Sequence, residues 1–166
     1  MMNNENELSV VSIKLVREPS LKSNKNITSV EDAIDVINEF LTDCDRELFC
    51  VLNLKSNGDV INMNVVSQGT LDSSIVSPRE VFKSAILSNA KSMLVFHNHP
   101  SGSLKPSRDD YNITKRLVEC GELLDIPIID HIIMGAGKSR GYSFLANDEL
   151  GKSYNEVLRK QSSYER

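Results

Sequence analysis

A chain of 166 residues suits one domain, at about 100–200 residues per domain, and its 40% apolar and 25% charged residues are those of an ordinary globular protein. The net charge of −4 and pI near 5.4 argue against a broad phosphate-binding surface, leaving room for a local basic patch. No apolar run approaches the roughly 18–20 residues of a membrane span, and residues 1–7 lack the basic and apolar regions of a secretory signal.

Residues 1–7 read as a disordered tail and 8–166 as a single domain. Residues 8–16 are apolar enough for a strand, and 21–27 are polar and loop-like. Ser29 can cap a helix in which Val30, Ala33, Ile34, Ile37 and Leu41 follow a helical period, ending near 43–45. Residues 47–55 form a mostly apolar strand, central in a sheet. Asn57-Gly58, both tolerant of positive φ, turns the chain into a partner strand over 60–67. Ser77-Pro78-Arg79-Glu80 carries three helix-start signals: a capping serine, proline at the first helical position, and a glutamate that completes a capping box. A short buried strand over 92–96 leads into a loop over 97–106, which holds two prolines and Gly102. Ser107 opens another helix, with Asp110 three residues on, and Leu117 and the Leu123-Leu124 pair suggest its core face. A strand over 126–134, a turn at Gly135, Gly137 and Gly141, and a short strand over 142–146 follow. Asn147 or Asp148 then caps a C-terminal helix. This order predicts an α/β domain, a mixed sheet covered by helices.

The three cysteines, Cys44, Cys50 and Cys120, form no Cys-x-x-Cys pair and fit neither a disulfide framework nor a zinc finger. Cys50 and Cys120 lie in apolar patterns and read as buried thiols, which predicts a reducing, cytoplasmic location. With no Trp, five Phe and four Tyr, there is no stacking platform for nucleic acid.

Two of only three histidines stand two residues apart, at His97 and His99. In extended backbone such residues project to the same side. Asp110 is the third helical position if Ser107 is the cap, so its carboxylate sits at the positive end of the helix. Two imidazoles and a carboxylate make a three-ligand site with an open fourth position, the pattern of catalytic zinc. Each half has an ordinary reading alone: Ser-x-x-Asp is a common capping box, and His-x-His is more often a polar loop than a ligand pair. Their coincidence in one short loop after a buried strand favours the site. The dispersed residues of HNH nucleases do not form one tripeptide, and zinc nucleobase deaminases need a Cys-x-x-Cys that is missing here.

His-x-His, seven residues, Ser, two residues and Asp resembles the JAMM (MPN-type) metalloprotease signature. The wider stretch is similar to the RadC family in particular, in Ser77-Pro78-Arg79-Glu80-Val81-Phe82-Lys83, His97-Asn98-His99-Pro100-Ser101-Gly102, Pro106-Ser107 and Asp130-His131. The resemblance covers about residues 46–144. It implies a cytidine-deaminase-like three-layer α/β fold and a Zn2+ ion held by His97, His99 and Asp110. JAMM enzymes also use an upstream strand glutamate, and the family pattern matches Glu47, which spacing alone does not separate from Glu80. The implied activity is zinc-dependent hydrolysis of peptide or isopeptide bonds, with a zinc-bound water activated by Glu47 attacking an amide carbonyl. Ser107 would hydrogen-bond the oxyanion, in competition with its cap role.

His131 reads as a core histidine or as a group supporting the metal from behind. Lys105, Arg108 and Lys115 read as a solvated face, with a carboxylate or phosphate contact as the alternative. Full-length RadC proteins carry an N-terminal helix-hairpin-helix region. Fewer than 30 residues precede the first predicted helix here, so the expectation is a chain without it. That weakens the alternative function, a DNA-repair accessory that binds DNA or protein partners without turnover. A metal-binding scaffold without turnover ranks last, because the site residues are intact. The expected partner is a peptide or protein substrate, and residues 8–16 could pair with a second copy to give a homodimer.

Overall fold

Seven consecutive apolar-rich residues, Leu48–Leu54 (β1), are all buried and take an interior position in a five-stranded sheet. The computed structural model describes residues 11–12, 14–16, 30–42, 44–69, 76–135 and 141–164. Around β1 lie β2 (Val60–Gln68), β3 (Ser92–His99), β4 (Ile128–Gly135) and β5 (Tyr142–Ser143), in the order β2-β1-β3-β4-β5. Only β3 and β4 run parallel, joined through helix α3 (Arg108–Leu123); the other neighbours are antiparallel. The remaining helices are α1 (Val30–Thr42), α2 (Pro78–Leu87) and α4 (Tyr154–Tyr164). This is the mixed α/β sheet expected.

The two-residue period of the strands builds three layers. Phe49 and Val51 of β1, with Met93 and Val95 of β3, meet Val81, Phe82 and Ala85 of α2 and Ile113 and Leu117 of α3. Leu48, Cys50 and Leu52, with Leu94 and Phe96, face the other way and meet Ile37 and Leu41 of α1. Burying each such side chain contributes about 1.5–3 kcal/mol. His97 therefore shares the α2–α3 side, and Asn98 the α1 side.

Several local expectations need correction. Residues 11, 12 and 14–16 form no strand. Val11 and Val16 stay 80% and 85% exposed, and β1 is the only described strand that pairs with β2. The rest of 8–16, the tail, the 21–27 loop, Ser29 and Gly137 lie outside the described residues. At the hairpin only Gly58 takes positive φ (87°), as Gly58 N–H bonds the Lys55 carbonyl at 3.0 Å and Lys55 N–H bonds Asp59 at 2.8 Å. Ser77 does precede α2, but its side chain makes no cap bond. Glu80 instead meets Lys83 at 2.6 Å, a partner one turn along the same face. Strand β3 runs on through His97 and His99, so the two histidines lie on a strand and not on a loop.

Leu123 is 87% exposed and Leu124 is exposed too. The buried stripe of α3 is Asp110, Ile113, Thr114, Leu117 and Gly121, one helical face on which 123 does not fall. Cys120 is half-buried at the core edge, whereas Cys50 is fully buried. The last strand stops at Ser143, and α4 begins at Tyr154 and not near 148. Asp148 has positive φ (57°) in the intervening turn, and Ser153 and Glu156 cap α4 reciprocally, at 2.6 and 3.4 Å.

Candidate metal centre

The site forms where β3 ends and α3 begins, on the α2–α3 side of the sheet. His97 is wholly buried, His99 nearly so, and Asp110 is 3% exposed. His97 Nε2 lies 3.0 Å from His99 Nε2 and 3.1 Å from Asp110 Oδ1, and His99 Nε2 lies 3.6 Å from Asp110 Oδ2. Among the described residues this is the group of three whose ligating atoms converge. Atoms bound to a tetrahedral ion at about 2.0–2.1 Å stand about 3.3 Å apart, and the two Nε2 atoms and the two Asp110 oxygens approach one another at similar distances, with one ligand atom from each residue within 4.8 Å of the others.

The capping box explains how Asp110 gets there. Ser107 Oγ accepts the Asp110 N–H at 3.1 Å, and the Asp110 carboxylate accepts the Ser107 N–H at 2.6 Å. One carboxylate oxygen thus closes the helix start while the group faces both imidazoles. Burial pushes the Asp110 carboxyl up, but in the metal-free site the hydrogen bonds that His97 and His99 give when protonated outweigh it and hold it well below the usual carboxylate range. The same Asp110 bond raises His99, against the opposing effect of burial.

The hydrogen bonds behind the site fix which nitrogens carry protons. Thr114 Oγ lies 2.5 Å from the Asp110 carbonyl, which can only accept, so its single proton goes there. Thr114 Oγ must then accept from His131 Nδ1 at 2.6 Å. That leaves His131 Nε2 bare, to accept from His97 Nδ1 at 2.7 Å. His97 Nε2 is consequently a bare lone pair aimed into the site. His99 reaches the same state independently, because its Nδ1 donates to the Ser103 carbonyl at 2.9 Å. Two bare lone pairs 3.0 Å apart beside a carboxylate repel unless a cation or proton sits between them. The donor set therefore fits a metal ion, and each imidazole has its remote nitrogen anchored.

His131 is both things the sequence offered for it. It is a buried, satisfied histidine, stacked on Phe144 (4.9 Å) and edge-on to Phe49 (5.7 Å), and it is also the group that orients His97. Burial first, then the neighbouring His97, lowers its proton affinity well below the ordinary value, which agrees with the neutral form the hydrogen bonds require. Thr114 escaped the sequence reading. The available signal was its place four residues after Asp110, on the same helical face. Asp130 accepts from Ser143 Oγ (2.6 Å) and Leu145 N–H (2.9 Å), tying the Phe144 turn to β4.

Glu47 is half-buried and immediately precedes β1. The β1–β3 ladder ends at Phe49↔His97, and the same register continued two steps past its end would set Glu47 opposite His99. Its negative charge helps to raise His99. Glu80 lies on the outer side of α2, engaged with Lys83. Ser107 is exposed, and because its oxygen accepts from Asp110 its hydroxyl proton remains to be donated. Cap and donor are thus compatible roles. Lys105 and Arg108 are exposed, and Lys115 lies 3.8 Å from Glu156 of α4. No helix among the described residues is long and apolar enough to cross a membrane.

Residues 27–150 match the protein family described as RadC-like JAB domain. A UPF0758 protein of Caldanaerobacter subterraneus is 44% identical over 124 residues, 72% of this chain and 53% of the relative. One from Desulforamulus reducens is 49% identical over 108 residues (65% and 48%), and one from Clostridioides difficile 54% over 92 (55% and 39%). The chain spans about half the length of the curated relatives it matches.

Proposed function

The chain belongs to the RadC-like JAB domain family, and from that premise we propose that it is a zinc-dependent hydrolase of peptide or isopeptide bonds. The observation that carries this reading is the convergence of two imidazole nitrogens, 3.0 Å apart, on one carboxylate, whose Oδ1 lies 3.1 Å from His97 Nε2 and whose Oδ2 lies 3.6 Å from His99 Nε2. Two nitrogens and one oxygen suit zinc better than the all-oxygen shells of magnesium or calcium. When bound, zinc supplies a Lewis acid and a water acidic enough to give hydroxide near neutral pH.

His97, His99 and Asp110 would hold the ion, while His131 and Thr114 keep His97 in the correct tautomer. Glu47, across the strand pair from His99, takes up the water's proton on its carboxylate and passes it to the leaving amine. Ser107 donates its hydroxyl proton to the carbonyl oxygen as negative charge develops there. Phe49 and Phe144, packed on the imidazoles, shield the rear of the site from bulk water.

The reading is tested by incubating the zinc-loaded chain with a mixture of peptides and lysine-linked isopeptides and reading new amines by mass spectrometry. We expect cleavage that vanishes in Glu47→Gln while zinc is retained. Cleavage of equal rate in Glu47→Gln would overturn the assignment. Zinc retention without cleavage of any peptide or isopeptide would favour a scaffold over an enzyme.

A further inference from the structure

We propose, resting on the hydrolase reading above, that Asn98 is a positioning residue that holds Glu47 in register with the metal site. The backbone ladder between β1 and β3 ends at Phe49↔His97. One step further the Asn98 side chain takes the place of a peptide unit. Its Oδ1 accepts the Leu48 N–H at 2.7 Å and its Nδ2 donates to the Arg46 carbonyl at 2.9 Å. Those two groups belong to the two peptide bonds that flank the Glu47 Cα, so one carboxamide constrains both backbone dihedrals of Glu47. A third bond comes from just past the end of β2, where Gly69 N–H donates to the Glu47 carbonyl at 2.9 Å.

The alternation of β3 makes this division of labour possible. His97 and His99 project toward α3, while Asn98, 2% exposed, projects to the α1 side and reaches back to the entry of β1. The residue between the two candidate ligands thus acts on the strand that carries the glutamate. Without the clamp, the Arg46 carbonyl and the Leu48 N–H would lose the partner that holds them on either side of Glu47, just after the bend at residues 45–46. A general base displaced by about 1 Å loses much of its effect. The chemistry also selects the side chain. Aspartate has no donor for the Arg46 carbonyl, serine and threonine are too short to bridge both groups, and glutamine is one methylene too long.

The test uses the full chain loaded with cobalt(II), whose visible bands report the ligand field, including the open side that Glu47 faces. Wild type, Glu47→Gln, Asn98→Ala, Asn98→Asp and the Glu47→Gln/Asn98→Ala double variant are compared. We expect each to bind one cobalt per chain. Glu47→Gln should shift the bands, Asn98→Ala should shift them in the same direction, and adding Asn98→Ala to Glu47→Gln should change nothing more. On any peptide the wild type cleaves, Asn98→Ala should lower kcat by about 10–100-fold with KM unchanged, the size typical of outer partners. Asn98→Asp has nearly the same volume and keeps the Leu48 bond, so it provides the same comparison if the alanine variant does not fold. Bands of both Asn98 variants that equal wild type while Glu47→Gln shifts them overturn the proposal, as do effects that add in the double variant. A wild type that binds no cobalt, or a Glu47→Gln that leaves the bands unmoved, removes the hydrolase premise and the proposal with it.

Discussion

Two helix starts in this molecule carry the same sequence signature and behave differently. Ser77-x-x-Glu80 and Ser107-x-x-Asp110 both read as capping boxes, yet only the second closes, with bonds of 2.6 and 3.1 Å. Glu80 is solvent-facing, and Lys83 offers it a charged partner at 2.6 Å that competes with the backbone. Asp110 is buried, has a shorter side chain and is drawn inward by two imidazoles. A capping box is therefore a local option that tertiary surroundings accept or decline. Where it is accepted here, the cap also sets the geometry of a metal centre.

That difference can be broken from either end. The largest effect is expected for Asp110→Asn, which removes the one anionic group of the triangle. Zinc affinity, measured by chelator competition, should fall by more than the about 10–100-fold typical of losing an outer partner. Glu80→Gln should leave it unchanged.

Next in size is His131→Phe, which strips the anchor from His97 Nδ1 and should weaken zinc by about 10–100-fold. This variant also carries a pH signature in the metal-free protein. Burial, then His97, keeps native His131 neutral. The unfolded chain takes up a proton at this position below about pH 6.5, whereas the native state does not. His131 therefore makes stability fall as the pH drops below that value. The stability difference between wild type and His131→Phe, from urea unfolding, should narrow between about pH 7.5 and 5.5.

Smaller still is the cap comparison itself. Ser107→Ala loses an observed bond and should cost about 1 kcal/mol in denaturant unfolding, whereas Ser77→Ala, with no side-chain cap bond to lose, should cost a fraction of that. The smallest effect separates the thiols. Burial first, then Cys44, pushes Cys50 up to about 12, so a thiol reagent at about pH 8 should label half-buried Cys44 and Cys120 in the native protein and reach Cys50 only on unfolding.

The legible parts of the sequence were those where one signal had one outcome. The apolar run at 47–55, followed by Asn57-Gly58, read as an interior strand and is one, and the helix of residues 108–123 announced its start through Ser107 and Asp110. His97, His99 and Asp110 were readable because strand alternation and a cap converge on one point. Other features depended on partners distant in sequence. Whether Glu80 would cap depended on Lys83 and on exposure. The role of His131 depended on meeting His97 across β3 and β4, and the role of Asn98 on the end of a ladder that no local pattern marks. The Ser153-x-x-Glu156 start of α4 was present in the sequence, but Asn147 and Asp148 offered equally good caps. Only the turn that places Phe144 behind His131 decides between them.

The central claim is that His97, His99 and Asp110 form one metal-binding unit. The most direct measurement is anomalous scattering at the zinc edge from a crystal of the reconstituted chain. The account predicts a single peak bonded to His97 Nε2, His99 Nε2 and an Asp110 carboxylate oxygen, with the Glu47 carboxylate facing its open side. No peak at these three atoms despite saturating zinc, or a zinc ion held elsewhere in the chain, would contradict it.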